Sequence, residues 1–170
     1  MSTITNEEVT FRLAEHEDLP RIVAIYNQNI ASHTVTADTA PVTVAAREDW
    51  FWAHTPKKWP MWVAELNGEV VGWVSLSQFK GRAAYDRTAE ISIYIDHGAQ
   101  GHHVGTAAVR WAEKEAPKAD IAVITSLIIG ANAVSLALFA HLGYEQWGKL
   151  PAVMSFSGTL QDLVILGKVL

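Results

Sequence analysis

A chain of 170 residues with 49% hydrophobic and 18% charged content supplies one full core and is short for two, so a single globular domain over 1–170 is expected. The formal net charge of −5 and isoelectric point near 5.8 argue against the basic face of a duplex nucleic-acid binder, but leave room for a local basic pocket around an anionic cofactor. Cysteine is absent, which removes disulfides and thiol nucleophiles and suits a reducing, cytoplasmic setting.

The opening MSTITNEEVT has neither a basic n-region nor an apolar h-region, so no signal peptide is expected. No apolar run approaches the ~18 residues of a membrane span, so no membrane partner is expected either. Val9–Leu13 alternates and reads as an edge strand. From Glu17 to Ile30, positions Leu19, Ile22, Val23, Tyr26 and Ile30 form a helical stripe, with Pro20 tolerable in the first turn. Residues 31–43 are polar and broken by Pro41, a loop or short strand that walls something. A second helix is predicted over Val44–Ala53, anchored by Trp50 and Phe51 and closed by the segment 55–60.

Met61–Leu66, Asn67-Gly68 and Glu69–Leu76 form a hairpin, because Asn-Gly between two alternating runs favours a type I′ turn. Residues 77–88 are read as a loop leading into a strand from Ala89 to Ile95. A helix follows over 105–116, and Pro117 and Asp120 mark its break. Ile121–Ile129 is a buried strand, and Asn132 opens a last helix stopped by Gly143. Tyr144–Leu150 and Leu163–Leu170 complete the set. The order β-α-α-β-β-β-α-β-α-β-β makes the 89–95 and 121–129 strands parallel across a right-handed crossover, with the rest antiparallel. The fold class is therefore α/β of the α+β type: a mixed, mostly antiparallel sheet with helices on both faces.

Between the 89–95 strand and its helix lies Gln100-Gly101-His102-His103-Val104-Gly105-Thr106. Small residues before a helix let backbone N–H groups converge on an anion, although such glycines also serve turns and packing. The loop is neither a G-x-G-x-x-G fingerprint nor a P-loop. It resembles the pyrophosphate loop Gln/Arg-x-x-Gly-x-Gly/Ala of the GNAT acetyltransferase superfamily; Gln100, Val104 and Gly105 fit, while His103 stands where glycine is usual. Ile25-Tyr26-Asn27, Trp62-Val63-Ala64-Glu65, Lys80-Gly81-Arg82-Ala83-Ala84-Tyr85-Asp86, Thr88-Ala89-Glu90 and Leu142-Gly143-Tyr144 extend the likeness to the phosphinothricin and methionine-sulfoximine N-acetyltransferase branch.

The resemblance implies a GNAT fold whose central parallel pair splays around acetyl-CoA, a small amine as acceptor, and a homodimer. It assigns Glu90 as general base, against the plainer reading of an ion pair with Arg87 or Arg82. Backbone groups of Ile93, Tyr94 and Ile95 would hold the pantetheine arm, and Gln100, Gly101, His102, His103, Val104, Gly105 and Thr106 the pyrophosphate. Asn132 and Ser135 would add cofactor contacts, though Asn132 also suits a helix N-cap. Arg82 and Tyr85 would meet the acidic group of the acceptor, with Tyr26, Asn27, Thr34 and Val35 on the opposite wall; Tyr26 fits the core equally well. Phe139 departs from the Tyr or His many relatives place there to protonate the thiolate.

Seven histidines do not make a metal site without converging ligands, so none is expected. The tryptophans do not interleave with basic residues, so no base-stacking platform and no nucleic-acid partner is expected. Other acceptors, such as another small amine or a peptide N-terminus, fit the same chemistry. A non-catalytic acyl-CoA-binding module is the rival of a different class.

Overall fold

The computed structural model describes residues 8–170; the reading of the first seven residues as lacking a leader lies outside them. Seven strands, β1 (Thr10–Leu13), β2 (Met61–Leu66), β3 (Glu69–Gln78), β4 (Thr88–Ile95), β5 (Val123–Ile129), β6 (Glu145–Phe156) and β7 (Thr159–Val169), form one sheet in the order β1-β2-β3-β4-β5-β7-β6. Among the described residues only β4 and β5 pair in parallel; every other neighbour is antiparallel. Among the described residues four α-helices flank the sheet: α1 (Leu19–Asn27), α2 (Val44–Trp52), α3 (Val104–Glu115) and α4 (Ala133–His141).

Strand alternation divides the apolar side chains into two layers. Trp62, Val74, Leu76, Ala89, Ile91 and Ile124 pack with Ala108, Val109 and Ala112 of α3 and Phe139 of α4. On the other face Met61, Val63 and Trp73 pack with Leu19, Ile22, Ile25 and Tyr26 of α1 and Phe51 of α2. Helices thus cover both faces. Residues of β4 at even positions, Glu90 among them, look toward α1 and α2, since Trp73 and Tyr94 are register partners on that side.

Several boundaries move from the sequence reading, each for a local reason. A 3-10 turn over His16–Asp18 precedes α1, which ends at Asn27, although Ile30 stays buried beyond it. The hairpin closes at Asn67 and Gly68, both at positive φ (53° and 81°), as a type I′ turn requires. β3 runs to Gln78 and β4 starts at Thr88, so the loop 77–88 is shorter than its polar composition implied.

The largest correction is at the C-terminal end. β6 and β7 form one long hairpin turned at Ser157-Gly158, where two shorter strands at 144–150 and 163–170 were expected. β6 is an edge strand exposed along most of its length, so no buried face imposes alternation. Pro151 lies within the register shift between Leu150 and Met154, where a missing N–H costs no ladder bond.

Ala108, Ala112 and Ala116 are fully buried and let α3 lie close over β3 and β4. Ala112→Leu should overpack this contact and lower unfolding free energy by about 1–3 kcal/mol. Urea denaturation of the variant, compared with wild type at equal slope, measures it.

Candidate active site

Three register pairs join β4 to β5: Thr88 with Val123, Ala89 with Ile124, and Glu90 with Thr125. Beyond Glu90 the ladder stops. Residues 91–95 keep their partners on β3, and residues 126–129 keep theirs on β7. The two strands therefore fork, and among the described residues no strand lies beside the backbone groups of β4 on the β5 side. Buried N–H and C=O groups left in that state are costly unless something supplies partners.

At the apex of the fork stands Glu90, half-buried, with burial alone raising its carboxyl pKa above the ordinary value. The plainer reading of Glu90 as an ion-pair partner is not what the structure shows: Arg87 reaches Asp120 at 3.2 Å instead. Thr125 beside it is buried, its hydroxyl donating to the Ala89 carbonyl at 2.9 Å.

The open end of the fork is bounded by two helix N-termini, because α3 follows β4 and α4 follows β5. Asp96 follows β4 directly and is fixed by Arg21 (2.8 Å) and Gln28 (2.9 Å), while its other oxygen accepts from the Gly98 N–H at 2.8 Å. Gln100, Gly101, His102 and His103 then form an exposed rim before the buried Val104. The first bond of α3 runs from Ala107 N–H to the His103 carbonyl at 3.1 Å, so the N–H groups of Val104, Gly105 and Thr106 precede the helical ladder. No acidic residue lies in that first turn, which leaves the partial positive charge of the helix end uncancelled.

His103 takes φ 59°, the left-handed region that glycine tolerates best. This is the physical reason that glycine suits the position, and histidine occupies it at a conformational cost. Two residues on, a Cβ at Gly105 would lie 3.3 Å from Leu138, so this glycine also lets α3 and α4 approach.

The remaining candidates divide between the site and the framework. Asn132 is the N-cap of α4, its side-chain oxygen accepting from Ser135 N–H at 3.1 Å. Ile93 and Ile95 lie along the fork edge of β4, whereas the Tyr94 ring stacks on Trp73 and tilts against Tyr26 on the α1 side. Tyr26 is buried, its hydroxyl shared with Thr36 and Asp38 and its ring face covered by Arg47. Asn27 uses both amide atoms on the Val42 main chain, at 2.9 Å each. Thr34 and Val35 are half-buried in the α1–α2 connection. Arg82 and Tyr85 are exposed in the β3–β4 connection, which re-enters the sheet two residues before Glu90; Tyr85 packs edge-on against Phe79. Phe139 is buried against Tyr144 and has no proton to give.

Two polar residues near Glu90 escaped the sequence reading. Ser77 is its register partner on β3, and His54 binds Ser77. The signal for Ser77 was the Asn-Gly turn, whose register extends to it once β3 is allowed to run on. Among the described residues no group of three or more His, Cys, Asp or Glu converges as metal ligands, and no helix is long and apolar enough to cross a membrane.

Residues 20–144 match the family model described as Acetyltransferase (GNAT) family. A Bacillus subtilis protein provisionally named phosphinothricin acetyltransferase YwnH is 47% identical, over 94% of this chain and 98% of that one. An L-methionine sulfoximine/L-methionine sulfone acetyltransferase of Pseudomonas paraeruginosa is 31% identical over 88% of this chain and 87% of its own. The crystal structure of a phosphinothricin acetyltransferase from Sinorhizobium meliloti in complex with AcCoA superposes with a TM-score of 0.89 at 28% identity, covering 95% and 88% of the two chains.

Two stability measurements test this geometry. His103→Gly should raise unfolding free energy by about 1 kcal/mol, because the left-handed strain is relieved. Glu90→Gln should melt higher than wild type at neutral pH. A carboxyl with a raised folded pKa binds its proton more tightly folded than unfolded, so its ionisation destabilises the fold. The melting-temperature gap should close as pH falls below the ordinary carboxyl range of about 4.3, where both states are protonated.

Proposed function

Because the chain belongs to the GNAT acetyltransferase family, we propose that it transfers the acetyl group of acetyl-CoA to the primary amine of a small amino-acid-like acceptor, of the phosphinothricin, methionine sulfoximine or methionine sulfone type. The observation that carries this reading is the fork that opens immediately after Glu90 and Thr125, next to a helix N-terminus free of acids. Its acceptor class is supported by the names of the relatives just described.

Main-chain groups of Ile93, Tyr94 and Ile95 on the gap side bind the extended pantetheine arm as a strand edge binds a strand. Backbone N–H groups from Gly101 to Thr106, with the side chain of Gln100 and the exposed rings of His102 and His103, receive the diphosphate. Asn132 and Ser135 flank the arm from α4, and capping the helix leaves the Asn132 amide N–H₂ available. Arg82 pairs with the acidic group of the acceptor through two hydrogen bonds, with Tyr85 beside it. Tyr26, Asn27, Thr34 and Val35 form and stiffen the opposite wall.

Glu90 accepts a proton from the attacking nitrogen. Even with its pKa lifted by burial, a carboxylate is a weak base toward an ammonium ion, so the transfer accompanies attack or passes through a water. Attack is direct, since the chain has no cysteine to carry the acetyl group. Phe139 cannot protonate the sulfur, which leaves as a thiolate whose conjugate acid has a pKa of about 8.5 by analogy with cysteine.

The domain spans 1–170, and a cysteine-free chain is compatible with the cytoplasm, the compartment we assign. Homodimerisation is part of the same proposal. Trp147, Leu150 and Val153 of β6 and Leu160 of β7 are exposed large apolar side chains on the hairpin at the sheet edge, a surface suited to a second copy.

Glu90→Gln should lower kcat about 100-fold, within the usual range for a general base, while acetyl-CoA still binds. Thiol release with methionine sulfone as acceptor reads the first quantity, and titration calorimetry the second. A wild type that binds acetyl-CoA but acetylates no amino acid, sulfone, phosphinate or polyamine would favour a non-catalytic acyl-CoA-binding module.

A further inference from the structure

Glu90 is not the sole group at the fork apex able to take a proton. Ser77 of β3 lies directly across from it, so both side chains leave the same sheet face as nearest neighbours. Ser77 Oγ is 3.1 Å from Nε2 of His54, and Nδ1 of that ring is 2.9 Å from the Trp50 carbonyl. A carbonyl can only accept, so Nδ1 carries the hydrogen and a neutral ring leaves Nε2 bare. Burial disfavours a second proton on the ring, outweighing the opposing pull of the Trp50 carbonyl. The Ser77 hydroxyl therefore donates to Nε2, and its oxygen offers only lone pairs toward the Glu90 side.

The ring is packed in place as well as hydrogen-bonded. His54 lies just past the Ala53 C-cap of α2, its ring edge-on to Trp50, which is itself edge-on to Trp73. A half-buried imidazole is thus held at both nitrogens, one hydroxyl away from the proposed base.

An amine enters as an ammonium and ends as an amide, so two protons leave its nitrogen, and one carboxylate holds only one of them. We propose that Ser77, oriented by His54, is the second proton acceptor of acetyl transfer. Glu90 takes the first proton. As nitrogen bonds to the thioester carbon and the C–S bond breaks, the second N–H proton passes to Ser77 Oγ while the hydroxyl proton of Ser77 passes to His54 Nε2. The C–S electron pair leaves on sulfur as thiolate, and it takes a proton from water. The imidazolium and the protonated Glu90 return theirs to water after product release. In these terms Ser77 meets the substrate nitrogen, and His54 is a positioning residue that acts through it.

The inference rests on the acetyltransferase reading and is tested so that the two can fail separately. Steady-state kinetics with acetyl-CoA and methionine sulfone are compared for wild type, His54→Gln, Ser77→Ala, Ser77→Thr and the His54→Gln/Ser77→Ala double variant. Gln keeps a hydrogen-bonding amide at 54 but cannot be protonated, and Thr keeps the hydroxyl at 77. We expect kcat to fall about 100-fold in His54→Gln and in Ser77→Ala, with acetyl-CoA affinity by calorimetry unchanged within about twofold. The double variant should be no slower than the slower single one, as for residues that act as a unit, and Ser77→Thr should recover most of what Ala loses. Wild-type turnover with kcat kept within about twofold in either single variant overturns this inference and leaves the acetyltransferase reading intact. Loss of acetyl-CoA binding in both variants assigns the pair a structural role and also overturns it. No wild-type turnover with any amine overturns both.

Discussion

Three residue pairs hold β4 against β5, and the fourth does not form. The rest of the site depends on that interruption. Each strand already has a full ladder on its outer side, β4 with β3 and β5 with β7, so the sheet survives the loss of pairing between them. What remains is a wedge of backbone donors and acceptors along the inner edges of β4 and β5. A sheet edge of this kind selects an extended, hydrogen-bonding ligand. The same divergence carries the N-termini of α3 and α4 to the open end, where the first turn of α3 presents N–H groups and no countering acid.

Each face of β4 meets a different requirement. Ala89 and Ile91 pack against α3, whose row of buried alanines holds the helix close to the strands. The side chains of Glu90, Ser77 and Thr125 belong to the opposite face, where His54 closes the row from the end of α2. One face thus fixes the sheet, and the other gathers hydroxyls, an imidazole and a carboxylate at the fork apex. Burial gives the last two their chemistry, lifting the Glu90 pKa and lowering that of His54. The first shift brings the carboxylate closer to neutral pH, while the second keeps the resting imidazole uncharged so that Nε2 can accept.

Much of this was legible in the residue order. The Asn67-Gly68 turn, the β-branched run 121–129 and the apolar stripe of the first helix are local signals, and local physics decides them. Glu90, at the head of an otherwise apolar strand, and the Gln100–Thr106 loop stood out for the same reason. The β6–β7 hairpin was harder, because an edge strand exposed along most of its length imposes no alternation and Pro151 looks like a terminator. Ser77 was hidden by a polar context that reads as loop, although it is a strand residue. His54 carries no sequence signal at all; it meets Ser77 only through the packing of α2 on the sheet. The left-handed φ of His103 likewise follows from the turn into α3 and could only be suspected from the glycine usual at that position.

Hydrogen–deuterium exchange with and without coenzyme A tests the central claim most directly, since it reads the backbone groups on which the account rests. Amides of residues 91–95 and 101–106 should exchange more slowly when the ligand is present, while those of the β6–β7 hairpin stay unchanged. Unaltered exchange along both stretches at saturating coenzyme A, or protection confined to another part of the sheet, would contradict the account.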